Sequence, residues 1–199
     1  MKIIVVGGKG VVGSAIVKEL SSRHQVIIAS RTKGDVVCDI SSEESIRAMF
    51  TQVGTVDAVV CAAGKVHFED VSQMTAAKYQ VGLNNKLMGQ VNLVLIGTQF
   101  MKEKGSFTLI SGVIGLENVK SGSSAAMVNR GIEGFVKGVY FEMPKQIRIN
   151  AVCPTILTES LPLYGSLFAG FTPVPAAQVA KAFSKSIEGS ETGEIYTVL

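Results

Sequence analysis

Two hydrophobic periods alternate along this chain. Runs of Ile and Val without polar alternation fit strands buried on both faces, the pattern of parallel sheets. Stretches with apolar residues every three or four positions fit helices lying on such a sheet. Ile3-Ile4-Val5-Val6 is the first strand, and helical spacing starts soon after it with Val12, Ala15, Ile16 and Leu20 on one face. Gln25 to Ala29 reads as a second strand and Val36 to Cys38 as a short third. Ser41 with Glu44 predicts a capping box for the next helix, whose face is Ile46, Met49, Phe50 and Val53. Ala58 to Cys61 is the fourth strand. A long helical region then runs from about Thr75 to Met101, with a bend near Gly82 or the Asn84-Asn85 pair. Ser106 to Ser111 is the fifth strand, and a Gly/Ser-rich loop leads to a helix from about Ala125 to Glu142, before Pro144. Ile147 to Cys153 is the sixth strand. Pro154 opens an irregular segment in which Pro162, Gly165, Gly170, Pro173 and Pro175 exclude one regular element. A helix from Pro175 to Ile187 has proline well placed at its start, and Glu194 to Val198 is the last strand.

Strands alternating with helices imply right-handed crossovers and a parallel sheet covered on both faces. The expected fold is therefore α/β, a doubly wound parallel sheet in three layers (α/β/α). With 199 residues and no repeat or linker, one domain is expected.

The turn after the first strand carries chemistry. Gly7, Gly8, Gly10 and Gly13 let the backbone turn sharply and approach a bulky anion. A strand, a glycine turn and a helix N-terminus make a pyrophosphate site, because unpaired N–H groups and the positive end of the helix dipole face the ligand. Gly8, Gly10 and Gly13 satisfy the G-x-G-x-x-G dinucleotide fingerprint in the context it requires. At the tip of the second strand an acidic residue would select NAD, and a basic one a 2′-phosphate. Ser30 and Arg31 stand there, with Lys9 in the glycine loop, so NADP (NADPH) is favoured over NAD.

Composition narrows the class further. Of the residues 47% are hydrophobic, yet no apolar run approaches the ~18 needed to span a bilayer, so no membrane partner is expected. The apolar run after Met1 and Lys2 is short and ends in glycines, so no secretory leader is expected either. Cys38, Cys61 and Cys153 lie at strand ends without Cys-x-x-Cys spacing. That argues for reduced thiols in a cytoplasmic protein, and for neither a disulfide framework nor a metal site. A net charge of +3 without a Lys/Arg run does not point to nucleic acid.

The order of motifs resembles the short-chain dehydrogenase/reductase family over essentially the whole chain, and with it a Rossmann-type fold. The glycine turn is similar to T-G-x-x-x-G-x-G, with Val6 for the Thr and Val11 for the middle glycine. Asp39-Ile40 resembles the family's adenine-contacting pair, and Cys61-Ala62-Ala63-Gly64 its N-N-A-G strand end. Ile147 to Pro154, reading IRINAVCP, resembles I-R-V-N-x-V-x-P-G before the nicotinamide loop, and Thr192-Gly193-Glu194 the final turn. The resemblance implies that the cofactor is held by Gly7, Gly8, Lys9, Gly10, Val11, Val12 and Gly13, by Ser30, Arg31, Asp39 and Ile40, by Ala62, Ala63 and Gly64, and by Pro154, Thr155, Ile156 and Thr158. It also implies that residues 155–175 cover substrate and that the two long helices pair between subunits in a homodimer or homotetramer.

The family's catalytic Tyr-x-x-x-Lys, with a Ser on the preceding strand end, is not reproduced. Glu133-Gly134-Phe135-Val136-Lys137 resembles E-G-F-x-K and sets the register, which puts the Tyr position on Ala125, the Lys on Asn129, the Ser on Gly112 and the relay Asn near Lys86. A shifted alignment does not help: Tyr140, the nearest tyrosine after Ser111, has Pro144 four residues later. Losing a positioned acid costs typically 10²–10⁴-fold. Candidate replacements are His67 on the loop after the fourth strand, Lys86 on the long helix, and Ser111. Lys65 shares the loop with His67, Tyr164 is a candidate lid residue, and Ser121, Ser123 and Ser124 read first as turn and cap formers. Two functions stay open: an NADP-dependent oxidoreductase of atypical mechanism, or a dinucleotide-binding sensor or partner subunit without turnover. The small-molecule substrate is not legible.

Overall fold

In the computed structural model, which describes residues 1–199, the first Ile/Val run is strand β1 (Lys2–Val6). It joins β2 (Gln25–Ser30), β3 (Val36–Val37), β4 (Val56–Cys61), β5 (Met101–Ile110), β6 (Arg148–Pro154) and β7 (Ile195–Val198) in one sheet of order β3-β2-β1-β4-β5-β6-β7. Every ladder is parallel.

Alternate residues of a strand point to opposite faces, and both faces of β1 are buried. Ile3 and Val5 pack under α1 (Val11–Leu20) and α7 (Ala176–Glu188), against Ile16, Leu20, Val179 and Phe183. Ile4 and Val6 face α2 (Glu43–Val53), α4 (Met88–Gly97) and α5 (Ser123–Val139), through residues such as Met49, Phe50, Leu93 and Ile132. This is the expected doubly wound α/β/α sandwich. No helix is long and apolar enough to cross a membrane.

Three local expectations change. Ser42, not Ser41, caps α2, accepting a hydrogen bond from Ser45 N at 3.1 Å. Ser41 is drawn away because its N–H donates to Asp39 Oδ1 at 2.9 Å in a turn. The long helical region is α3 (Ala76–Gly82), a π-helical turn (Leu83–Leu87) and α4, so the regular helix is interrupted at the Asn84-Asn85 pair, but the helix stops at Gly97 instead of Met101. Met101 pairs with Val56 and opens β5, so sheet pairing overrides the helical spacing of Phe100 and Met101. Gly97 sits against the rings of Phe50 and Phe107, where an added Cβ would come within 2.7 Å and 2.9 Å. Finally, α5 ends at Val139, and the Tyr140 ring covers the Gly193 turn, where a Cβ would meet it at 2.7 Å.

The last strand is held by buried polar groups. Asn150 donates to Ser186 Oγ at 3.0 Å and to Glu191 O at 2.9 Å, and accepts from Glu194 N at 2.9 Å. Arg148 donates to the Ser186 and Ile187 carbonyls at 2.6 Å and 2.9 Å, closing the last turn of α7. Replacing Asn150 by Ala leaves the Glu194 N–H and the Glu191 carbonyl without this partner, at a cost of about 2–3 kcal/mol. A lowered urea midpoint with an unchanged slope is expected; an unchanged midpoint would show that the network adds nothing.

Candidate active site

The sheet order reverses direction at β1, which places a crevice beyond the carboxyl ends of β1 and β4. Val6 pairs with Cys61 there, and the chain then enters the glycine turn on one side and Ala62-Ala63-Gly64 on the other. Gly7 takes φ +81°, a conformation that favours glycine. A Cβ on Gly13 would lie 2.0 Å from the Gly7 carbonyl oxygen, so only glycine lets α1 start this close to the strand. Gly10, the N-cap of α1, brings no side-chain acceptor, and the first turn has no acidic residue. The positive end of the helix is thus left for an anion from outside.

That helix end opens on a cleft of about 530 Å³. Its walls include Gly7, Lys9, Gly10, Ser30, Arg31, Lys33, Asp39, Ile40, Ala62, Ala63, Gly64, Lys65 and Asn85. Lys9, Arg31, Lys33 and Lys65 against the single carboxylate of Asp39 make it strongly cationic. Ser30 shapes the β2–β3 loop, donating to Lys33 O at 2.5 Å and accepting from Lys33 N at 3.0 Å, while Arg31 stays exposed. Asn85 accepts from Lys65 N at 2.7 Å and donates to Ser41 Oγ at 2.5 Å, tying the π turn to the cleft floor. Gly8, Val11, Val12 and Gly13 form the turn and the helix start behind these walls. An uncapped helix end, a backbone that approaches without Cβ groups and four nearby cations together fit a dinucleotide.

Gly64 is shared with a second, inner cavity of about 330 Å³. Ser111 and Gly112 beyond β5, Ala125 and Asn129 of α5, Pro154 at the end of β6 with Thr155 and Ile156 beyond it, and Tyr164 and Phe168 line it. Lys86 enters this cavity from the π turn. A Cβ on Gly64 would fall 2.4 Å from Lys86 Cγ, so the glycine makes room for the lysine stem. The Lys86 ammonium donates to Ser111 O at 2.9 Å and to Asn129 Oδ1 at 2.7 Å. Asn129 in turn donates to Ile114 O at 3.0 Å, which fixes its amide with the oxygen toward Lys86. Burial pushes the Lys86 pKa down from 10.5 to about 8, against a weaker opposing pull of the Glu133 carboxylate. Burial also pushes the Cys61 and Cys38 thiols up to about 12, so both are protonated near neutrality.

The other candidates are held elsewhere. His67 pairs with Glu69 Oε2 at 3.0 Å, where Lys78 also binds, and it is not among the residues lining the inner cavity. The Ser111 hydroxyl donates backward to Glu133 Oε1 at 2.7 Å, and Glu133 pairs with Arg130. Tyr164, at the end of the short helix α6 (Leu161–Tyr164), stands on the rim, 43% exposed. Ser123 bonds Tyr79 at 2.9 Å, Ser124 is buried without a partner, and Ser121 sits in the preceding turn at φ +60°. Thr158 begins a 3-10 turn and donates from its N–H to Val174 O at 2.9 Å, outside both cavities. The sequence reading missed the Lys86–Asn129 contact and the role of Asn85. Their signal was faint: a lysine and an asparagine at inward-facing positions of two otherwise apolar helix faces.

Residues 7–195 match the family model described as enoyl-(acyl carrier protein) reductase. A D-xylose 1-dehydrogenase of Caulobacter vibrioides is 29% identical over 123 residues, 59% of this chain and 48% of that protein. The short-chain dehydrogenase/reductase prx4 of Penicillium roqueforti is 26% identical over 158 residues, 72% of this chain and 48% of that protein. The chain thus spans about half the length of the curated relatives it matches. Among solved structures, the protein lin1944 from Listeria innocua is 45% identical with a TM-score of 0.99 over 100% of both chains. A small-chain dehydrogenase in complex with NADPH is 26% identical, with a TM-score of 0.89 over 100% of this chain and 96% of the other.

A lysine whose pKa falls on folding binds fewer protons in the native than in the unfolded state between its two pKa values. Stability contributed by Lys86 therefore rises with pH from about 8 to 10.5. Relative to a Lys86→Met variant, the wild type should gain on the order of 3 kcal/mol across that window, read from urea unfolding at each pH. A constant difference between the two proteins would contradict the shifted ammonium.

Proposed function

Because the chain belongs to the short-chain dehydrogenase/reductase family, we propose that it is an NADP-dependent oxidoreductase that transfers hydride without the family's tyrosine acid. One observation carries this reading: the cationic cleft at the uncapped end of α1 meets an apolar cavity at Gly64, so a dinucleotide in the first would present its reactive ring to the second. In that arrangement the first turn of α1 takes the diphosphate, Asp39 and Ile40 the adenine, and Pro154 to Ile156 the nicotinamide side. Ser30, Arg31 and Lys9 take the 2′-phosphate. The family's NADPH-bound relative supports the same cofactor class.

Ala125, Asn129 and Gly112, on which the E-G-F-x-K register would put the family's Tyr, Lys and Ser, line the inner cavity. Residues 155–175, with Tyr164 and Phe168 turned toward the cavity, cover the substrate. Val66, Phe68, Val113, Ile114 and Leu157 give that substrate an apolar setting. Exposed Met88 and Leu95 of α4 and Met127 of α5 are the surface through which a homodimer or homotetramer would form. Ala125 favours a second reading, a dinucleotide sensor or partner subunit without turnover, because it can move no proton.

On the first reading NADPH binds more tightly than NADH. Arg31→Ala should weaken NADPH roughly tenfold to a hundredfold and leave NADH unchanged in calorimetric titrations. Equal losses for both would remove the 2′-phosphate contact, and no binding of either would remove the cofactor. NADPH binding without oxidation by any quinone, flavin or carbonyl acceptor would favour the sensor.

A further inference from the structure

We propose that Lys86, held between the Asn129 side chain and the Ser111 carbonyl, is the proton donor of this site and hands its proton to the oxygen of an uncharged, apolar carbonyl substrate. The inference rests on the reductase reading above and deepens it. An ammonium has three N–H donors. Two are spent on Ser111 O and Asn129 Oδ1, which orient the group, and the third has no acceptor in the chain. Lys86 is also the one charged residue among those lining the inner cavity.

Apart from Lys86, the one ionisable side chain lining the cavity is Tyr164. The Ser111 hydroxyl is turned away toward Glu133, and Tyr164 lies on the rim without a hydrogen-bond partner. The groups that face Lys86 are Cys61 from β4, Cys153 from β6, and Glu133 with its partner Arg130 from α5. Burial raises both thiols and leaves them neutral, so Glu133 is the only anion among them, and it already bonds Arg130 and Ser111. Asn129 is a neutral acceptor. It fixes the direction of the ammonium without pairing its charge, as a carboxylate would, and so leaves the proton easy to release.

NADPH held along the outer cleft, with its ring at Pro154 to Ile156, would supply hydride to the carbonyl carbon. The C=O electron pair moves onto oxygen, which takes a proton from Lys86 Nζ and leaves a neutral amine. A proton taken up from solvent then restores the ammonium. The sum is carbonyl plus reduced cofactor plus one proton, giving alcohol and oxidised cofactor.

The test follows NADPH oxidation by the wild type, Lys86→Met and Lys86→Arg with phenanthrenequinone, menadione and nitrobenzaldehyde as probes. Lysine ionisation is read separately, by NMR of protein whose lysines carry 13C-methyl groups, with Lys86 assigned from its loss in K86M. Lys86 should titrate near 8, and wild-type kcat for nitrobenzaldehyde should fall as pH rises through that value. K86M should lose roughly 10²–10⁴-fold in kcat while keeping its NADPH affinity. K86R keeps a charge that does not titrate in this range, so it should be slow and show no pH break. Wild-type kcat in K86M, or a Lys86 signal titrating with the exposed lysines, overturns the proposal alone. A wild type that binds NADPH and oxidises it with none of the probes overturns the reductase reading, and this proposal with it.

Discussion

The pinch between Gly13 and the Gly7 carbonyl is the constraint from which the rest of the site follows. Because no Cβ stands between them, α1 begins directly beyond the carboxyl end of β1, and its first N–H groups face the crevice where the sheet order reverses. The helix has no cap of its own, so the field of its backbone is available to a ligand. Packing on the far face keeps it there: Ile16 and Leu20 lock onto Ile3, Val5 and the α7 residues Val179 and Phe183, all fully buried.

Glycine solves a second close approach at the opposite side of the crevice. Gly64 leaves room for the Lys86 stem, and the π turn that contains Lys86 aims it across the end of the sheet toward α5. A π turn spreads one helical turn over an extra residue and is a frequent feature of functional sites. Here the ammonium comes from the α4 side and its orienting amide from α5, where the family register would place the lysine on α5. The arrangement costs stability, since burial opposes the charge, and that cost is the physical reason for reading Lys86 as functional.

The layers, the parallel strands and the glycine turn were legible because each rests on a local rule: unbroken Ile/Val runs, helical spacing, and glycines between them. An irregularity in the long helix could be expected near Gly82 or the Asn84-Asn85 pair, and the π turn falls on the second of these. The helix end was misplaced because Met101 answers to Val56, a partner 45 positions away in the sheet, and no local rule contains that pairing. Ser41 likewise satisfies a capping rule that Asp39 overrides. In the site, the cationic cleft could be read from Lys9 and Arg31. The Lys86–Asn129 contact could not, because two helices distant in sequence meet only once the sheet has set their spacing. His67 looked suited to acid–base work by residue type alone, and only the fold shows it turned to Glu69.

Backbone amide exchange, followed residue by residue with and without NADPH, tests the central claim most directly. If the cofactor's diphosphate lies on the start of α1, the amides of Val11, Val12 and Gly13 become protected on adding NADPH, together with Ala63 and Gly64 across the crevice. Protection confined to other segments, with the first turn of α1 exchanging as before, would contradict the account.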